Sequence, residues 1–329
     1  MKNLSYHKTE MKKVYRAGFT EKDATLPDGT VLHYAYGGDS TKTPLLLIHG
    51  QTGCWEDYAP VLPVLALHYH VFAVDCHGHG KSSHTPDKYY AKAMVADFAW
   101  FIENIIKRPS VVSGHSSGGL LAAMLAASAA DYVIGTVLED PPFFSTEKGE
   151  RWEKSFAYVD ACEPMHRFLC QTEANDWVLY YIENSAWGKL VGEKGINGML
   201  KYGRSYRKKH PQKALQYFFL PPSVNRMFLF MDSYDLRFGD NFYNSSWFDG
   251  YNQREILSRI ACPAVLIHTS WSVDENGILM AAMSEDDAKL AHSLMKNSEL
   301  VNVVSGHGFH FEKPQEFEQI VTLFAERLR

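Results

Sequence analysis

Cysteine is scarce in this chain and never paired. Cys54, Cys76, Cys162, Cys170 and Cys262 are odd in number and scattered, and no C-x-x-C unit occurs. That excludes a disulfide framework, argues against structural zinc, and fits reduced thiols in a cytoplasmic protein. Long apolar runs are missing too, so no segment reads as a membrane span. The polar, charged residues 1–16 lack the apolar centre of a signal peptide. Positive charge is not in excess: 33 Lys and Arg stand against 38 Asp and Glu, a formal charge of −5. No basic surface for nucleic acid or an anionic membrane is expected. The short run Arg207-Lys208-Lys209-His210 reads as a solvated helix end.

What the chain does have is apolar mass, 46% of 329 residues, enough for one large core. Its order is informative. Residues 1–16 read as a leader, frayed or helical. Pro27-Asp28-Gly29 between alternating segments is a hairpin turn, since proline presets one backbone angle and glycine supplies a positive one. Buried strands are expected over Pro44 to His49, His70 to Asp75, Ser110 to Gly114 and Val133 to Glu139. Helices are expected over Asp57 to Leu67, Tyr90 to Ile106 and Gly118 to Ala130. This alternation implies a mostly parallel sheet covered on both faces, an α/β fold. After Asp140-Pro141-Pro142 the rhythm stops. Residues 143–255 are aromatic and helical in pattern, with Trp152, Tyr158, Trp177, Trp187, Tyr243 and Trp247 among them. The α/β rhythm then resumes with a strand over Pro263 to His268, a helix over Ser284 to Lys296, a strand over Leu300 to Val304 and a closing helix over Pro314 to Leu328. The organisation expected is a core of residues 1–142 and 256–329 with a helical cap inserted at 143–255.

One motif carries the chemistry. Gly114-His115-Ser116-Ser117-Gly118 sits between a strand and a helix. A G-x-S-x-G there makes a sharp turn that lifts the serine hydroxyl above the sheet edge, close to a helix N-terminus. A serine hydroxyl needs a base, and the base needs an orienting acid. His307, flanked by Gly306 and Gly308 after the last strand, is the expected base. His310 competes, but reads better as a partner for a neighbouring loop. Asp274, after the Pro263 to His268 strand, is the preferred acid, with Asp140 at the end of the earlier strand as the alternative. Glu275 and Glu139 lie beside them and share the remaining weight. The oxyanion hole is expected from the backbone N–H groups of Ser117 and of Gln51, the latter in the glycine-bearing loop His49-Gly50-Gln51-Thr52-Gly53. His49 reads as structural. The pairs His68/His70 and His77/His79 lack cysteine or acidic companions in sequence, so no metal and no cofactor are expected.

Four segments together resemble the α/β-hydrolase fold superfamily, in its cap-bearing branch. Leu45-Leu46-Leu47-Ile48-His49-Gly50 resembles the strand and oxyanion loop. Val74-Asp75-Cys76-His77-Gly78-His79-Gly80-Lys81-Ser82 is similar to the D-x-x-G-x-G-x-S turn. Gly114 to Gly119 resembles the nucleophile elbow, and Gly306-His307 with Phe311-Glu312-Lys313-Pro314 the histidine loop and closing helix. The resemblance implies a serine hydrolase using a Ser-His-Asp triad on a small, largely apolar ester or related carbonyl compound. Carbon–carbon bond hydrolysis, other cofactor-free chemistry, or ligand binding without turnover are the rival readings. Two departures stand out. Thr269 replaces the glycine usual in the branch's acid loop, which weakens Asp274 and keeps Asp140 in play. Serine at 116, where dehalogenases and epoxide hydrolases carry aspartate, argues against their chemistry. The expected partner is a small-molecule substrate; the oligomeric state is open, a homodimer being one option.

Overall fold

The computed structural model describes residues 6–186 and 191–328; Trp187 and residues 1–5 of the expected leader lie outside them. Eight strands form one sheet in the order β1-β2-β4-β3-β5-β6-β7-β8. They are β1 (Thr20–Thr25), β2 (Val31–Gly37), β3 (Pro44–Ile48), β4 (His70–Val74), β5 (Ser110–His115), β6 (Val133–Glu139), β7 (Ala264–His268) and β8 (Ser298–Asn302). The β1–β2 hairpin joins antiparallel, and every pairing from β4 to β8 is parallel. Every residue of β3, β5 and β7 is buried. Strands covered on both faces need no polar side, which is why β3 reads as an unbroken apolar run and β5 and β7 carry apolar centres. Alternate residues serve opposite faces: Leu46 and Ile48 join one cluster, Leu45 and Leu47 the other.

Helices cover the sheet. Helix α1 (Tyr6–Arg16) precedes it, α2 (Ala91–Phe101) and α3 (Ser117–Ser128) pack together, and α3 also lies on β5 and β6. The helix expected over Asp57 to Leu67 is broken into a 3-10 turn, Trp55–Tyr58, and a short helix, Leu62–Leu65. Pro60 and Pro63 offer no N–H, so a continuous ladder cannot run through them. The last strand begins two residues earlier than its apolar centre suggests, because Ser298 pairs with Ala264 at the start of β7.

Between β6 and β7 the described residues form helices and turns, and Ser155 makes an isolated bridge to Leu279 beyond β7. The helices that matter below are α4 (Glu163–Cys170), α5 (Pro222–Leu229), α6 (Leu236–Tyr243) and α7 (Gln253–Arg259). Their aromatic interior is continuous with one face of the sheet: Trp152, Phe228, Phe238 and Trp247 share a cluster with Ile48, Val112 and Leu138. Polar bonds fasten this segment down. Tyr251 Oη donates to Leu120 O at 2.7 Å and Tyr89 Oη to Asp235 Oδ2 at 2.8 Å.

A further fastening is ionic. Arg226 on α5 is buried and donates to Glu10 of α1, while its other arm lies 3.8 Å from Asp57. The two carboxylates come from separate parts of the chain, so one guanidinium joins three segments. A buried charge stripped of its partner costs far more than the pair contributes. Arg226→Ala should therefore lower the unfolding free energy by about 3 kcal/mol in urea titration. A loss below about 1 kcal/mol would reduce the triad to a packing contact.

Candidate active site

β5 ends at His115, and α3 starts at Ser117. Ser116 between them has φ 53° and ψ −121°, a conformation that a residue with a Cβ rarely adopts. Such strain costs roughly 1–3 kcal/mol and persists only where surroundings impose it. Here they do. Ser116 N–H donates to Glu139 O at 2.9 Å, and Ser116 O accepts from Gly119 N at 2.9 Å. The flanking glycines are required by close approach. A Cβ on Gly114 would lie 2.1 Å from Gly118 O, and one on Gly118 would lie 2.2 Å from Ile48 O. The spacing of small residues in the sequence is the imprint of this steric demand.

The histidine loop follows β8. His307 Nδ1 donates to Asp140 Oδ2 at 2.7 Å. This fixes the tautomer, leaving Nε2 as the free basic nitrogen. Asp140 is fully buried and also accepts from Thr269 Oγ1 at 2.7 Å. Burial alone would raise its pKa, but His268, His307 and Thr269 around it hold the carboxyl well below the usual range. His307 shows the converse. Loss of solvation lowers its pKa, yet 45% of the side chain still meets solvent, and the bond and charge of Asp140 prevail, raising it.

The expectation for Asp274 is corrected. Its Oδ1 accepts from Asn276 N at 2.9 Å and Ile278 N at 2.8 Å, so the carboxylate caps its own turn and does not bond His307. Asp140, the alternative, occupies the place beside the imidazole. Glu275 is exposed on the same turn. Glu139 bonds His310 instead of His307. The departure at Thr269 acquires a reason: the residue replacing glycine on β7's loop donates to the acid supplied by β6.

Ser116 and the histidine loop meet through His115. Its ring centre lies 4.6 Å from that of His307, and its Nε2 donates to His307 O at 2.9 Å. Burial pushes the His115 pKa down to about 3, so it is neutral and serves as a strut. No hydrogen bond joins the Ser116 hydroxyl to His307 among the described residues; such bonds tighten when substrate binds. On the other side, a Cβ on Gly50 would lie 3.0 Å from Ser116 Cβ, so the loop after β3 abuts the elbow. The N–H groups of Gln51 and Ser117 have no protein acceptor among the described residues. The Gln51 side chain turns the other way, its Nε2 3.5 Å from Met165 Sδ on α4. His49 accepts from Cys76 N at 3.0 Å and donates Nδ1–H to Gly50 O at 2.8 Å, which sets the loop. His77 Nε2 lies 3.0 Å from Asp97 Oδ2, and His79 Nδ1 3.0 Å from His77 O.

Sequence reasoning gave no role to His115, although it is the x of G-x-S. Nothing in its type or spacing marks a strut.

Comparison with known proteins gives the family and the fold. The model of a family described as "Alpha/beta hydrolase family" matches residues 45–320. (E)-2-((N-methylformamido)methylene)succinate hydrolase of Acinetobacter baylyi is 33% identical over 179 residues, 50% of this chain and 65% of that protein. The sn-1-specific diacylglycerol lipase ABHD11 of Mus musculus is 30% identical over 128 residues, 38% of this chain and 41% of that protein. The chain thus spans less than two thirds of these curated relatives. Among solved structures, the esterase RhEst1 from Rhodococcus sp. ECU1013 superposes with a TM-score of 0.66 at 22% identity, covering 94% of this chain and 99% of its own. The enol-lactonase from Burkholderia xenovorans LB400 gives 0.62 at 18%, with 92% and 99% covered. At such identity the likeness is one of fold.

Proposed function

The chain belongs to the alpha/beta hydrolase family, and from that premise we propose that it is a serine hydrolase in which Ser116, His307 and Asp140 form the triad. The observation that carries this reading is the 2.7 Å bond from His307 Nδ1 to buried Asp140, beside a strained serine elbow. Ser116 Oγ attacks a carbonyl carbon and passes its proton to His307 Nε2. Asp140 holds the ring and stabilises the imidazolium. The N–H groups of Gln51 and Ser117 receive the oxyanion. His307 then protonates the leaving group, takes a proton from water, and the hydroxide formed releases the acyl group.

Residues 143–255 act as a cap. Met165 on α4, 3.5 Å from the Gln51 amide, brings an apolar side chain to the oxyanion loop. A small, largely apolar ester or related carbonyl compound fits that surrounding. Five free cysteines suit a cytoplasmic setting. No helix among the described residues is long and apolar enough to cross a membrane.

The test is labelling by a fluorophosphonate, then a panel of p-nitrophenyl esters of increasing acyl length beside a diketone. Wild type should label at Ser116 and hydrolyse short esters; Ser116→Ala should not label. No labelling of folded wild type would defeat the reading. Cleavage of the diketone alone would replace ester hydrolysis by carbon–carbon bond hydrolysis.

A further inference from the structure

β6 ends in the buried carboxylate of Glu139 and Asp140 follows it directly; of the two, only Asp140 bonds His307. Glu139 is bonded at both ends. Its main-chain O accepts Ser116 N–H at 2.9 Å. Its Oε1 accepts His310 N–H at 2.9 Å and His310 Nδ1–H at 2.8 Å, and its Oε2 lies 3.0 Å from the same Nδ1. His310 stands three residues after His307, in the first turn of the helix Phe309–Glu312. One residue therefore grips the elbow with its backbone and the histidine loop with its side chain.

We propose that Glu139 is a positioning residue for the reaction of Ser116 and His307, fixing the histidine loop through His310 and setting a second negative charge beside the His307 imidazole. The proposal rests on the reading of Ser116 and His307 as nucleophile and base.

The electrostatics follow from the surroundings. Burial drives the His310 pKa down to about 3, so this imidazole stays neutral and donates through Nδ1 without cancelling the carboxylate. Its Nε2 is buried and without a partner among the described residues. Burial also lifts Glu139 to about 7, against the pull of the His310 N–H and of His307, so its charge is complete only above that pH. The other groups facing it are Asp140 and Asp57, which oppose its charge, and Tyr58, whose ring lies 4.5 Å from that of His310. His115 is neutral. Arg226, behind Asp57, acts on His310 and so keeps it uncharged. Asp140 and Glu139 both raise His307. The base form of His307 is lost as pH falls through its pKa. Above about pH 7, where Glu139 is ionised, its charge raises that pKa; removing it lowers the pKa and moves the acid limb of turnover to lower pH.

Histidine-selective NMR of the full chain tests this. The His307 titration midpoint should fall by about half a unit or more in Glu139→Gln. The acid limb of kcat/KM should fall by the same amount, with kcat down about tenfold and KM within about twofold. An unmoved His307 midpoint in the folded variant overturns the proposal. Should that variant fail to fold, wild type still decides: His310 should remain the neutral Nδ1–H tautomer from about pH 5.5 to 8.5. A charged or Nε2–H His310 overturns it as well. Absence of serine labelling in wild type would instead defeat the hydrolase reading, leaving both NMR measurements to stand separately.

Discussion

Ser116→Ala and His307→Ala each lower kcat for an activated ester about 10⁶-fold, and the double variant is no slower than either single one. The equality follows from how the two groups act. Without Ser116 there is no nucleophile for the imidazole to deprotonate. Without His307 the hydroxyl keeps its proton, and the strain at φ 53° gains nothing. The residual rate comes from the N–H groups of Gln51 and Ser117 and from substrate binding, which both variants retain. Single-turnover kinetics on variants with unchanged circular dichroism would check this. Losses that multiply in the double variant would separate the two residues into independent steps.

Asp140→Asn lowers kcat about 10⁴-fold, while Asp274→Asn stays within about twofold of wild type. The asparagine keeps the shape of the side chain but presents an N–H toward His307 Nδ1, which now donates to Oδ2 at 2.7 Å. The imidazole answers by moving its proton to Nε2, where it can no longer accept from Ser116. The negative charge that steadies the imidazolium goes too. Asp274 holds only the N–H groups of its own turn, so its amide analogue disturbs that turn alone. The two variants share one assay, and equal losses would return the acid to an open question.

The sequence read the elbow well because sterics leave few choices there. Gly114 and Gly118 face backbone oxygens at distances no Cβ tolerates, so the spacing is written in residue types. The parallel strands were legible for a similar reason, since burial on both faces favours apolar side chains along their centres. The acid was not. β6 and β7 are neighbours, pairing Thr136 with Ala264 through Glu139 with Ile267. Both strands therefore deliver their following loops to one edge, and each loop carries an aspartate. Which one turns inward depends on contacts across the edge, among them the hydroxyl of Thr269 on Asp140. No local pattern encodes a partner 129 residues away. His310 shows the same limit: its bond to Glu139 spans 171 residues.

The guanidinium of Arg226 has one more consequence. It is seated between an acid from the first helix and Asp57, whose Oδ2 would sit 2.4 Å from a Cβ on Gly53 of the oxyanion loop. Drawing α5 away would leave two carboxyl groups in a dry interior without their cation. Helix α5 is thus pinned at that corner, to the first helix on one side and to the turn beside Gly53 on the other.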